Sequence, residues 1–180
     1  MSEANPDAAF RAFAAERRYG AATLERWARL APPDAAALGE LVHELRLGEN
    51  QLRDLWEWLD EIAARDGETL AAVLASDPVR TARQRHLSRN DRLKLIKGVL
   101  RKRRFPQLAA HEERLAALVH ELNLPRAVRV TLPEFLEGDA LHLEIVADSI
   151  DALRAAAEAL RAAAHTSACA ELFTLLGEAP

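Results

Sequence analysis

No disulfide framework is open to this chain, which has one cysteine, Cys169, among its 180 residues. A lone thiol gives no cysteine-based zinc cluster and suits a reducing compartment. No apolar run approaches the roughly 18 residues that a membrane span needs. The first 20 residues carry Glu3, Asp7, Glu16, Arg17 and Arg18 and no apolar stretch, which predicts no secretory leader. The expected location is cytoplasmic. Catalytic signatures are missing as well. There is no glycine-rich phosphate loop, no Gly-x-Ser-x-Gly elbow and no Cys–His pairing. None of the six histidines lies four residues from another, so no His-Glu-x-x-His motif arises. His142 and Glu144 share one face of an expected strand and read as a solvated pair. The chain is therefore expected not to be an enzyme, with no cofactor and no metal.

Glycine is scarce too, at seven residues, and aromatics make up 5%. What remains is rich in Ala, Leu and Arg, which favours helix. The feature that stands out is charge. From Val79 to Arg104 there are eleven Lys or Arg residues and one acid, Asp91. Residues 1–78 hold eight bases against fifteen acids, and residues 105–180 hold five against twelve. The chain reads as −7, +10, −7, which a net charge of −4 conceals.

In order, Phe10 to Leu30 reads as a helix or helix pair broken at Gly20. Ala31-Pro32-Pro33-Asp34 is a stop and restart with Asp34 as N-cap. A helix carrying Leu38, Leu41, Val42 and Leu45 follows, ended by Gly48 in the left-handed conformation. Asn50 is expected to cap the next helix, Gln51 to Arg65, where Leu52, Leu55, Trp56, Leu59 and Ile62 make a core stripe. Trp27, Trp56 and Trp58 all read as core. Helix, break and helix around Gly48 also suit a helix-turn-helix. Its second helix, however, carries four acids against two arginines, so a hairpin inside a bundle is the better reading. A short helix, Thr69 to Ala75, precedes Asp77-Pro78, an N-cap and first-turn proline.

Within the basic segment, Ser88 and Asp91 resemble a capping box. The helix they open runs to Arg104, with Leu93, Ile96 and Leu100 on its apolar face. Lys94, Lys97, Arg101 and Arg104 form a cationic stripe expected to face away. Gly98, in mid-helix, marks either a close approach by another backbone or a glycine simply tolerated there. After Phe105-Pro106 comes a helix over 107–123. Then the period changes to two. AVRVTL (127–132) and LHLEI (141–145) alternate as strands, with Leu141, Leu143 and Ile145 inward. The stretch between them contains Glu134, Glu137, Gly138 and Asp139, an acidic turn. Such a hairpin is marginal alone, so it must pack on helices or pair with another copy. Asp148 or Ser149 caps a helix to Ala164, and a short helix over 168–176 ends the pattern.

Two jobs suit the stripe. Its cations could neutralise DNA phosphates without reading sequence, driven by counterion release. They could instead pair with acidic surfaces, whether those of residues 1–78 or those of a protein partner, as in an interaction adaptor. The phosphate contacts expected on the first reading are Lys94, Lys97, Arg101, Lys102, Arg103 and Arg104, extended by Arg80, Arg83, Arg85 and Arg89. Neither base stacking nor a membrane site is expected.

The strand LHLEIV followed by DSIDAL, which opens a helix, resembles the C-terminal dimerisation module of ParB-type partition proteins. The likeness covers residues 107–164. It implies that hairpins of two subunits pair into one sheet, and it implies a role in partition or chromosome organisation. The family's DNA-reading helix-turn-helix and its nucleotide-binding arginine motif are not found in this sequence. The fold class expected is mostly α (α+β). A helical bundle spans 8–78, a basic helical connector 79–106 and a helix–hairpin–helix domain 107–176, with a homodimer through the hairpin.

Overall fold

The computed structural model describes residues 6–133 and 140–177. The chain folds as two compact units, Met1–Phe105 and Pro106–Pro180. The described residues are mostly helical with one antiparallel hairpin.

The first unit contains α1 (Pro6–Glu16), α2 (Ala21–Trp27), α3 (Pro32–Leu45), α4 (Glu49–Asp66), α5 (Leu70–Ala75), α6 (Asp77–Gln84) and α7 (Arg89–Arg104). The stripe Leu52, Leu55, Trp56, Leu59 and Ile62 on α4 is buried as its spacing predicts. It joins Leu38, Leu41, Val42 and Leu45 from α3 in one core. Truncating one such leucine to alanine costs about 2–5 kcal/mol. Phe10 stacks on Trp27 with ring centres 3.4 Å apart, and Trp27 meets Trp56 edge-on at 6.0 Å. Trp58 is only partly buried, at the margin of this core.

The helix ends differ from the sequence reading in ways that trace to backbone geometry. Ala31 precedes α3, and the Asp34 carboxylate instead accepts from Ala71 N–H at 2.8 Å, anchoring the start of α5. Arg46, with φ 45°, takes the left-handed position after α3. Gly48 has φ −82° and is the N-cap of α4, so Asn50 lies within that helix. Gly67 does adopt the left-handed form, with φ 69°, after α4. Ser76, not Asp77, precedes α6. Ser88 caps α7 as expected, accepting from Asp91 N–H at 3.2 Å.

The second unit contains α8 (Pro106–Glu121), β1 (Val128–Thr131), β2 (His142–Ile145), α9 (Ile150–Ala163) and α10 (Ser167–Gly177). Its core is Leu115, Leu118, Leu122, Ala163, Leu172 and Leu176. β1 pairs with β2 in the register Val128 to Ile145 and Thr131 to His142. Ser149 caps α9 through Ala152 N–H at 3.1 Å. Glu134, Glu137, Gly138 and Asp139 lie outside the described residues.

Candidate functional site

Residues 79–106 were expected to form a connector; within that span α6 and α7 belong to the first unit and help build its core. Val79 and Ala82 from α6 join Leu93, Ile96 and Leu100 from α7 in the same cluster as α3 and α4. Once packed there, α7 brings its cations beside the acids that face them. Over residues 1–105 the nineteen bases and sixteen acids nearly balance, so the first −7 and the +10 belong to one folded body.

Two flanks of α7 are closed by ion pairs. Toward α4, Lys97 Nζ lies 3.3 Å from Asp54, and Arg104 forms a two-pronged pair with Glu61. Both cations lie over the ring of Trp58, at 5.5 and 5.6 Å from its centre. That placement explains why Trp58 is only half covered, since it is a platform for cation stems as much as core. Lys97 and Arg104 therefore do not face away. On the other flank, Glu44 from the last turn of α3 takes both Arg83 from α6, at 2.8 Å, and Arg92 from α7, at 2.7 Å. Arg92 is absent from the set expected of the sequence. Its Nε is buried without a hydrogen-bond partner. At the end of α7, Arg103 pairs with Asp66 and Glu68, and Arg65 donates to the Arg104 carbonyl at 2.7 Å. Burial would lower the Arg103 pKa, but hydrogen bonds to Glu68 and Asp66 outweigh it and raise the guanidinium above its ordinary value. Asp66 is held below the usual carboxylate range, first by Arg65 and then by Arg103. The four cations Arg101, Lys102, Arg103 and Arg104 also suit the negative end of the helix dipole.

The structure thus divides the expected set. Arg83, Lys97, Arg103 and Arg104 are partly covered and paired with acids of the same unit, and Arg80 pairs locally with Asp77. Arg101 is partly covered and Lys102 exposed, both with contacts to neighbouring groups. Arg85, Arg89 and Lys94 are exposed and form no ion pair among the described residues. Beside them sits apolar surface that the charge count hid. Leu87 is 48% exposed, Leu95 38% and Phe105 44%. A groove of about 450 Å³ is lined by Ser76, Pro78, Val99, Lys102 and Arg103. The missing signal was pairing. Asp54 and Glu61, seven residues apart on α4, and Glu44 at the end of α3 mark where α7 would dock.

The second unit has an exposed apolar face. β2 was expected to turn Leu143 and Ile145 inward, but they are 45% and 39% exposed. Val146, Ile150, Leu153 and, on α10, Phe173 are also exposed. A groove of about 410 Å³ is lined by Leu122, Leu141, Leu143, Leu160, Cys169 and Phe173, among others. Among the described residues no three His, Cys, Asp or Glu side chains gather to hold a metal. Among the described residues no helix is long and apolar enough to cross a membrane.

The chain matches no family model, no curated protein and no solved structure.

Proposed function

We propose that the first unit is a docking module for an acidic polypeptide segment that carries apolar side chains, an adaptor and not an enzyme. The observation that supports this is the sorting of α7. Flank cations of α7 are paired with acids of their own unit, while Arg89, Lys94 and Leu95 on α7, and Arg85 and Leu87 in the turn before it, are exposed. Phosphate contact gains nothing from exposed leucines. An acidic amphipathic helix gains from both, since its apolar side fills the groove beside Val99 and its carboxylates meet the cations.

DNA association is the second reading, and the three exposed cations near the start of α7 favour it. With three phosphates neutralised, log K falls against log salt with a slope of about −2.7. One experiment separates the two. The full chain is titrated with a random DNA duplex and with a synthetic Leu/Glu helical peptide. Docking predicts that the peptide binds and that Leu95→Ser weakens it as much as Lys94→Gln does. Duplex binding with the stated slope and no response to Leu95→Ser would overturn the docking reading in favour of DNA.

For the second unit the partner we propose is a second copy of this chain. An isolated two-stranded hairpin is marginal in water, and this one leaves Leu143 and Ile145 partly uncovered.

A further inference from the structure

We infer that two copies of this chain join through the outer edge of β2, antiparallel and in a register centred on Leu143. The inference rests on the self-association proposed above and adds the strand and the register.

β2 is the accessible strand. Among the described residues it pairs only with β1, and all four of its residues are exposed, whereas Val128 of β1 is buried. The hydrogen-bond alternation then fixes which backbone groups are free. Val146 N–H donates to the Ala127 carbonyl at 2.8 Å, extending the register that places Val128 opposite Ile145. Ala127 and Val146 are thus a hydrogen-bonded pair. In an antiparallel ladder such pairs alternate with non-bonded ones. Glu144 and His142 therefore turn their backbone groups toward β1, while Leu143 and Ile145 turn theirs outward.

A two-fold antiparallel pairing must match outward residues with outward residues and keep like faces together. Two centres overlap the strand well. Centring on Glu144 sets Glu144 opposite its own copy in a non-hydrogen-bonded pair, where side chains are closest and like charges repel. Centring on Leu143 removes that conflict. Leu143 exchanges both backbone bonds with Leu143 of the partner subunit. Leu141 meets Ile145 of the partner subunit on the apolar side, continuous with the groove that Leu141 and Leu143 line. His142 meets Glu144 of the partner subunit on the polar side. The sequence Leu-His-Leu-Glu-Ile is self-complementary about its middle residue, apolar against apolar and base against acid. That complementarity is what argues for a second copy over an unrelated strand. Glu144 already faces Arg129 within its own hairpin at 3.4 Å, so the joined polar face would run Arg, Glu, His across the sheet.

The test uses the full chain and sedimentation velocity. A dimer is expected. His142→Glu sets two like-charged pairs across the junction and should weaken dimerisation about tenfold. The swap of His142→Glu with Glu144→His should restore it. Both positions are exposed, so circular dichroism should be unchanged. In a Cys169→Ser background, Leu143→Cys should cross-link to its own copy on mild oxidation and Glu144→Cys should not. A monomer at high concentration would overturn the self-association reading and the register together. A dimer that ignores His142→Glu and cross-links through Glu144→Cys would overturn the register alone.

Discussion

Arg92 on α7 donates through Nη1 to Glu44 on α3 at 2.7 Å, across 48 residues of sequence. The same carboxylate holds Arg83 of α6 at 2.8 Å. One acid thus ties three helices together, and it does so where α7 turns its basic side toward the body of the unit. The charge segregation along the chain is in large part the electrostatics of folding.

Removing that acid tests the point. Glu44→Ala leaves Arg92 without its carboxylate and Arg83 with only the longer pair to Glu40 at 3.8 Å, with Arg92 Nε already lacking a partner. We expect a loss of about 1–2 kcal/mol in urea unfolding, above the usual surface pair because both guanidiniums are partly desolvated. Glutamine at the same position should recover part of the loss by keeping one hydrogen bond. An unchanged midpoint for Glu44→Ala would mean the clamp contributes nothing.

Gly98 gives a prediction of opposite sign. Its place in mid-helix left open a close backbone approach or simple tolerance, and a Cβ built there meets nothing within 4 Å, which fits the second. The residue is exposed and lies inside α7. Gly98→Ala should therefore stabilise the first unit by about 0.5–1 kcal/mol through helix propensity alone. Thermal unfolding would register the gain as a higher midpoint, and a lower one would reveal a contact that the geometry does not show.

Elements were legible in the sequence where a strong period met a clear punctuator. The α4 stripe and the Ser88 cap are of this kind, as are the two strands, found within a residue or so of β1 and β2. Helix starts were less legible. Asp34 and Asn50 have the right chemistry for an N-cap, yet their local backbone is already helical, and the caps fall on Ala31 and Gly48. The surface was least legible. The spacing of Lys94, Lys97, Arg101 and Arg104 says that they share a side of a helix. It does not say that α4 lies beside that side with Asp54 and Glu61. Likewise, alternation named Leu143 and Ile145 as inward, but how far a strand is covered depends on partners that alternation does not contain.

Acid sensitivity follows from two carboxylates with lowered pKa values. Glu49 accepts from the Thr23 hydroxyl and from Gly20 N–H, joining the start of α4 to the start of α2, and these bonds hold its pKa below the ordinary glutamate value. Asp66 is lowered by Arg65 and Arg103. A carboxylate lowered in the folded state binds protons less tightly than in the unfolded chain. Its stabilising contribution is complete above the unfolded value of about 4 and fades as pH falls through the lower folded value. Glu49→Gln should therefore flatten the acid limb of a stability–pH curve while changing its shape above pH 6 little. Equal acid slopes in the two proteins would show that Glu49 carries no linkage.

The alkaline limb has its own reporter in Tyr19. Its hydroxyl donates to the Leu47 carbonyl at 2.7 Å inside the core. Burial raises its pKa above the ordinary tyrosine value, Arg17 opposes the rise, and Glu49 adds to it. The stabilisation that comes with a raised tyrosine is complete below the unfolded value of about 10 and is lost as pH climbs through the higher folded one. Tyr19→Phe keeps the ring against Phe10 and Phe13 but strands the Leu47 carbonyl. At neutral pH that should cost about 1–2 kcal/mol, the penalty of one buried acceptor left unpaired. The variant should also lose the tyrosine part of the alkaline fall, so its stability curve and that of the parent converge above pH 10. Curves that stay parallel through that range would show that ionisation of Tyr19 is not coupled to unfolding.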